Sequence, residues 1–175
     1  MLDDLRPLIA SFYPYLKAIH VFSAALWSFS TVVAWIQFLK PALVAARRNP
    51  GDEALRARRN EAMRRFDRGA VIEHVALVVL IITAGLMLWV GGFDLTRLSY
   101  VTGKVWLGIL VILPMEAIDI YLSHLGGNKD RLLAAGDSER FERIMHLHWI
   151  FFRVTEPIIV VLIPITFFIA IVKPF

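Results

Sequence analysis

His146-Leu147-His148-Trp149-Ile150-Phe151-Phe152-Arg153-Val154-Thr155-Glu156-Pro157-Ile158-Ile159 opens the last long apolar run of the chain. An arginine and a glutamate stand in it where lipid would otherwise be met. An ionisable residue at the centre of a spanning helix costs about 2.5–3.5 kcal/mol on insertion scales, and less near an interface. Arg153 and Glu156, three residues apart, share a helix face and can neutralise each other. Pro157 leaves the carbonyl of Arg153 without its helical N–H donor. A charge pair beside a freed carbonyl needs partners from other segments, so the stretch predicts a bundle.

The rest of the chain supplies those segments. Of its 175 residues, 58% are hydrophobic, against about 45–50% in an ordinary soluble domain. Four apolar runs, approximately 15–39, 70–90, 100–122 and 149–171, each reach the roughly 20 residues that a span requires. The expected fold is therefore an all-α integral membrane protein, an antiparallel four-transmembrane-helix bundle forming one domain over residues 1–175. The loops are expected at 41–69 and 124–147. The acidic Met-Leu-Asp-Asp start and the length of the first run predict a retained span, not a cleaved leader. Cysteine is absent, which excludes disulfides, thiolate metal sites and cysteine nucleophiles. No Gly-rich phosphate loop or serine-nucleophile motif is present.

The net charge of +4 sits in the loops and gives no sign of a nucleic-acid partner. Lys40, Arg47, Arg48, Arg56, Arg58, Arg59, Arg64, Arg65 and Arg68 lie between runs one and two. Lys129, Arg131, Arg140 and Arg143 lie between runs three and four. The other side has only Arg6, Arg97 and Lys173 outside the helix ends. The positive-inside rule predicts cytoplasmic basic loops and both termini outside, in a bacterial-type inner membrane. Asn49-Pro50-Gly51-Asp52 divides the arginine-rich segment into two helical extensions reaching past the bilayer.

With that topology each polar residue has a depth, at about 1.5 Å per helical residue. Lys17, His20 and Lys104 fall in the outer third. Glu73, His74, Glu116, Asp119, Arg153 and Glu156 fall in the inner third, with His124, His146 and His148 read as interfacial residues at the inner mouth. His20 and His74 are then about 20 Å apart in depth, too far for both to reach one iron. The outer layer offers His20 as a haem ligand, with Lys17 or Lys104 at the propionates, or it is a histidine bonded to a neighbouring helix below two snorkelling lysines. The inner layer has Glu116 and Asp119 on one face and a heptad stripe of His146, Trp149, Arg153 and Glu156. Carboxylates with histidine could bind a divalent transition metal, relay protons, or form a closed network that fixes helix register. Because an unpaired charge at that depth is unfavourable, Arg153 is expected to contact Glu73, Glu116 or Glu156.

Leu16-Lys17-Ala18-Ile19-His20 followed by Trp27 resembles the opening helix of HemJ-type protoporphyrinogen oxidases. Phe152-Arg153-Val154-Thr155-Glu156-Pro157 and the closing Val172-Lys173-Pro174-Phe175 are similar to the last helix of that family, and Arg65 and Lys104 fall where it tends to have Arg and Lys. The opening pattern also occurs in related CopD-like and DUF2269 membrane proteins. The resemblance implies a b-type haem in the bundle and oxidation of protoporphyrinogen IX, with His20 on the iron. It places Lys17, Trp27 and Lys104 around the cofactor and gives Arg153 and Glu156 as catalytic candidates. Where the family carries two further histidines in its third helix, this chain has Thr102 and Met115, and helix two opens on Glu73-His74.

Two classes of function follow. One is a haem-dependent membrane oxidoreductase handing electrons to a quinone or a redox partner in the bilayer, alone or as a homo-oligomer. The other is a non-haem membrane protein that binds or transports a transition metal through Glu73, His74, Glu116 and Asp119, or serves as an accessory subunit of a larger complex. The topology is checked first: reporter fusions between residues 45 and 65 are expected to be active only on the cytoplasmic side, and activity on the outer face would overturn it.

Overall fold

The computed structural model describes residues 2–173; Met1 and the Pro174-Phe175 end of the family resemblance lie outside the described residues. The chain is helical throughout, with no β-strand among the described residues. A short α1 (Leu2–Ser11) leads into the first long helix, α2 (Tyr13–Arg48), which is followed by α3 (Glu53–Gly91) and α4 (Tyr100–Ser123). A short α5 (Lys129–Ala134) precedes the last long helix, α6 (Ser138–Val172). All four long helices are apolar and long enough to cross a membrane. The 39 residues of α3 make it about 58 Å long, nearly twice the roughly 30 Å hydrocarbon core. It therefore projects beyond the bilayer at the end of the bundle carrying the 49–52 turn, hereafter the loop end. The expected 124–147 loop is helical from Ser138, in a helix that runs without a break into the fourth span.

Local chemistry accounts for the boundaries. Asp52 accepts from the Leu55 N–H at 3.0 Å and so caps α3, and Ser99, Asn128 and Asp137 cap α4, α5 and α6 in the same way. Gly92, at φ +60°, ends α3 in the left-handed conformation that glycine adopts without strain.

α6 keeps its α-helical pattern through Pro157 and Pro164. The irregular turns lie in other helices. Trp35–Leu39 in α2 and Gly108–Ile112 in α4 are π-helical, and each ends two residues before a proline, Pro41 and Pro114. A proline takes the N–H from the carbonyl four residues back and presses its ring on it. Those carbonyls belong to Gln37 and Leu110, in the middle of the two π-turns. Widening the helix there absorbs the lost bond.

Packing divides the bundle in two. At the loop end Trp35, Leu39, Leu43, Met63, Phe66, Leu122, Leu132, Phe141, Ile144, Met145 and Phe152 form one buried cluster drawn from α2 to α6. In the opposite half Phe22, Phe29, Val78, Leu110, Val160 and Phe168 are exposed, as befits side chains whose solvent is lipid. Phe152 joins the helices at the boundary. It stacks on Trp35 at 4.4 Å, meets Phe66 edge-on at 5.2 Å and lies face-on to His148 at 4.5 Å. Phe152→Ala is expected to cost about 3–5 kcal/mol in denaturant unfolding of the detergent-solubilised protein, with a smaller loss for the half-buried Phe151→Ala.

Candidate functional site

Beneath that aromatic cluster α3, α4 and α6 turn ionisable side chains inward. His74 comes from α3, Glu116 and Asp119 from α4 and His148 from α6. The Asp119 carboxylate is the junction. One oxygen accepts from His148 Nε2 at 2.9 Å and the other from His74 Nε2 at 3.1 Å. His148 is 0% exposed and Lys129, from the start of α5, is 1% exposed. The Lys129 ammonium donates to Leu122 O at 2.6 Å, to His148 Nδ1 at 2.7 Å and to Asp67 at 3.0 Å. An ammonium has three protons to donate and no lone pair, so those three acceptors use it fully.

This fixes the imidazoles. His148 accepts at Nδ1 from a group that only donates, so its proton is on Nε2, facing Asp119. His74 gives its Nε2 proton to the other oxygen of Asp119. Its Nδ1 accepts from His124 Nε2 at 3.1 Å, the two rings meeting edge-on at 5.0 Å. The result is an unbroken chain, Asp67–Lys129–His148–Asp119–His74–His124. Outside the spanning helices, burial lowers the Lys129 ammonium below the usual lysine value, while Asp67 pulls the other way. Burial, then the neighbouring His74, lowers His124, in keeping with its neutral form.

Two carboxylates stand beside the chain with an oxygen to spare. Trp27, whose indole N–H only donates, bonds one oxygen of Glu116 at 3.1 Å. The other, Oε2, lies 3.8 Å from His74 Nε2 and has no hydrogen bond. Oε2 of Glu73 is likewise buried and without a partner. Both residues line a cleft between α2 and α6, together with Asp119, Trp35, Phe152 and Glu156. Lys40 reaches across from α2 to Glu156 at 2.5 Å.

Of the inner residues singled out from sequence, Glu73, His74, Glu116 and Asp119 come together here. Arg153 does not. It is exposed, its guanidinium sits 5.8 Å from the Trp149 ring, and it makes no ion pair among the described residues. This corrects the expected pairing with Glu73, Glu116 or Glu156, and Lys40 takes that place. The reason is helical phase, since the inward face of α6 is Phe141, Ile144, Met145, His148, Phe152 and Thr155. The stripe His146, Trp149, Arg153 and Glu156 lies to its side. His148 and His124 are not interfacial as expected, but members of the buried chain. The missed residues left traces in the sequence. His148 is in heptad phase with Phe141, Phe152 and Thr155, and Asp67 falls on the stripe of Met63, Ala70 and His74. Lys129 left no such trace.

In the outer half His20 Nδ1 is 3.1 Å from the Thr83 hydroxyl. The Thr83 hydroxyl also lies 2.8 Å from Val79 O and 3.0 Å from Leu80 O; with its proton given to one of these carbonyls, His20 donates from Nδ1 and its Nε2 lone pair is free. Thr83 is nine residues from His74, which puts the two histidines about 13 Å apart in depth, less than the 20 Å expected but still beyond one iron. Lys17 is exposed, Lys104 is half-buried with its ammonium 5.1 Å from the Tyr100 ring, and Trp27 is committed to Glu116.

Comparison with known proteins finds no matching family model, no matching curated protein and no matching solved structure.

Breaking one side of a buried ion pair strands the other charge, at about 3–5 kcal/mol. Lys129→Met is therefore expected to lower unfolding stability by that amount, and Asp67→Leu with Lys129→Met to lower it less than Lys129→Met alone. Additive losses in a double-mutant cycle would show that the pair is not coupled.

Proposed function

We propose that this integral membrane protein is a non-haem, metal-handling protein whose working part is the buried carboxylate–histidine layer. The observation that carries the reading is the free Oε2 of Glu116, 3.8 Å from a His74 Nε2 that is itself 3.1 Å from Asp119. Neighbouring ligands of a four-coordinate ion with bonds of about 2.0–2.2 Å stand roughly 3.3–3.6 Å apart. The two separations bracket that spacing, and Glu73 lines the same cleft. Imidazole with carboxylates suits zinc, iron or manganese.

Among the described residues no three such groups already surround a common point as a ready metal site. They are closed on one another through the His74 Nε2 proton. A divalent ion would take the place of that proton. Once His74 binds through Nε2, its proton moves to Nδ1 and His124 Nε2 turns from donor to acceptor, with no net release. A carboxylic acid that gives up its proton to become a ligand does release one, so affinity rises with pH over the range in which Glu116 or Glu73 titrates. The cleft beside Glu73, Glu116 and Asp119 holds about 40 Å³ of free space, enough for an ion with a water and far below the roughly 300 Å³ and upward of pockets for larger ligands. On the positive-inside reading, the layer lies near the cytoplasmic face.

A second reading keeps the haem b of the HemJ-type resemblance. It is favoured by His20, because a ring whose Nδ1–H is held by a neighbour and whose Nε2 is free is prepared as a ligand. His20 would hold the iron, with Lys104 and Lys17 near the propionates. The haem itself would supply the one-electron chemistry for a porphyrin or quinone substrate.

One preparation separates the two. Protein purified in detergent and equilibrated with Zn²⁺ or Mn²⁺, then dialysed, is expected to be colourless, to hold close to one ion per chain, and to bind more tightly as pH rises. Glu116→Gln, which retains the acceptor for Trp27, and His74→Gln are each expected to weaken binding at least tenfold. Unchanged affinity in both folded variants would sink the metal reading. A Soret band that disappears in His20→Ala and persists in His74→Gln would establish the haem reading.

A further inference from the structure

At the loop end, outside the buried layer, a second cleft opens between the tail of α2, the start of α3 and the start of α6. It is lined by Ala46, Arg47, Pro50, Arg56, Arg59 and Glu142 and encloses about 450 Å³. We infer that this cleft is a binding site for a phosphate group, built from the guanidinium forks of Arg47, Arg56 and Arg59.

Charge is the first argument. Three arginines face one glutamate, and only Arg59 is paired, through Nη2 to Glu142 Oε1 at 2.5 Å. Neither Arg47 nor Arg56 makes an ion pair among the described residues. Arg47 instead donates to His146 Nδ1 at 2.9 Å, which makes that imidazole an acceptor and adds no charge at that nitrogen. Arg56 donates to the carbonyl of Pro50 at 3.2 Å. Two positive charges are left uncompensated in one concavity.

Donor count is the second. A guanidinium carries five N–H groups. One bond each at Arg47 and Arg56 leaves most of both forks available, in the planar geometry that matches phosphate oxygens. The heads are also held in place. Arg47 lies 4.8 Å from the Trp149 ring, while Arg59 Nε and Nη2 both bond Asn60 Oδ1, at 2.9 and 2.7 Å. A pre-organised fork loses less freedom on binding than a swinging one.

Position narrows the ligand. Trp149 begins the apolar run of α6 and is the kind of aromatic found at headgroup level, and Arg47 rests on it. The phosphate can therefore belong to an anionic phospholipid headgroup entering from the bilayer, or to free phosphate from the aqueous side. The chemistry that recognises them is shared, and the experiment distinguishes the sources.

The full chain in detergent is titrated with inorganic phosphate, with short-chain phosphatidylglycerol, and with phosphatidylcholine of the same chain length, and the melting temperature is followed. A saturable rise is expected with half-saturation at least tenfold lower for phosphatidylglycerol than for phosphatidylcholine. Arg47→Ala with Arg56→Ala is expected to raise the half-saturation concentration at least tenfold. The single Arg56→Gln should raise it less, and Arg58→Ala, an exposed arginine outside the cleft, should leave it unchanged. A saturable response to phosphatidylglycerol alone assigns the site to lipid, and one to inorganic phosphate with the same dependence on Arg47 and Arg56 assigns it to a soluble anion. Equal response to the two lipids without a phosphate response, no saturable response at all, or equal weakening by Arg58→Ala would each overturn the site.

Discussion

The Asp119 carboxylate, shared between His74 and His148, is the contact on which the rest of the loop end depends. Each oxygen takes one imidazole proton, so one side chain ties α4 to α3 and to α6. Lys129 extends the tie to the 124–137 hairpin and back to Asp67 on α3. In a setting of low dielectric such bonds are stronger than in water, and an unmet member is correspondingly costly. Because the chain joins three helices and the hairpin, it fixes their register. The aromatic cluster above it acts with it, since Phe152 lies flat on the His148 ring that the chain orients.

The proline-linked π-turns bring the helices into that register. A π-turn contains one residue more than an α-turn, and this shifts everything beyond it by about 100° around the axis. The turn at Gly108–Ile112 precedes Glu116 and Asp119 by a single helical turn. In α2 the turn at Trp35–Leu39 buries both of its end residues, so Trp35 reaches Phe152 and the following turn carries Lys40 to Glu156. In α2 a proline's missing donor has become a means of aiming side chains.

This also explains how far the sequence could be read. Span number, approximate limits and the helical extensions about Asn49-Pro50-Gly51-Asp52 follow from run length and turn chemistry, which are local. The four acids and bases nearest the layer's centre were visible because an ionisable residue in an apolar run is anomalous wherever its partner lies. Partners were harder to identify. Arg153 and Glu156 have the spacing of a pair, yet α6 presents Phe152 and Thr155 to the bundle, and Arg153 is left beside Trp149. Choosing between those two phases requires knowing where the neighbouring helices are. Lys129 was least legible, because a lysine in a polar loop looks solvated until the fold places an aspartate and a histidine over it.

The layer's formal charge gives the clearest link between this architecture and its chemistry. Within the polar chain Asp67 and Asp119 are anions and Lys129 a cation, a balance of one negative charge. If Glu116 serves as an anionic ligand it contributes a second, provided that Glu73 stays protonated. A monovalent ion would leave the buried layer charged, whereas a divalent ion cancels both charges, and burying net charge is what a low-dielectric interior most strongly opposes. Lys129 has a part in this balance. Without its ammonium the same carboxylates would hold a divalent ion and still be one negative charge in excess. On the metal reading, the fixed cation at the start of α5, held by three hydrogen bonds, sets the valence that the remaining acids would accommodate.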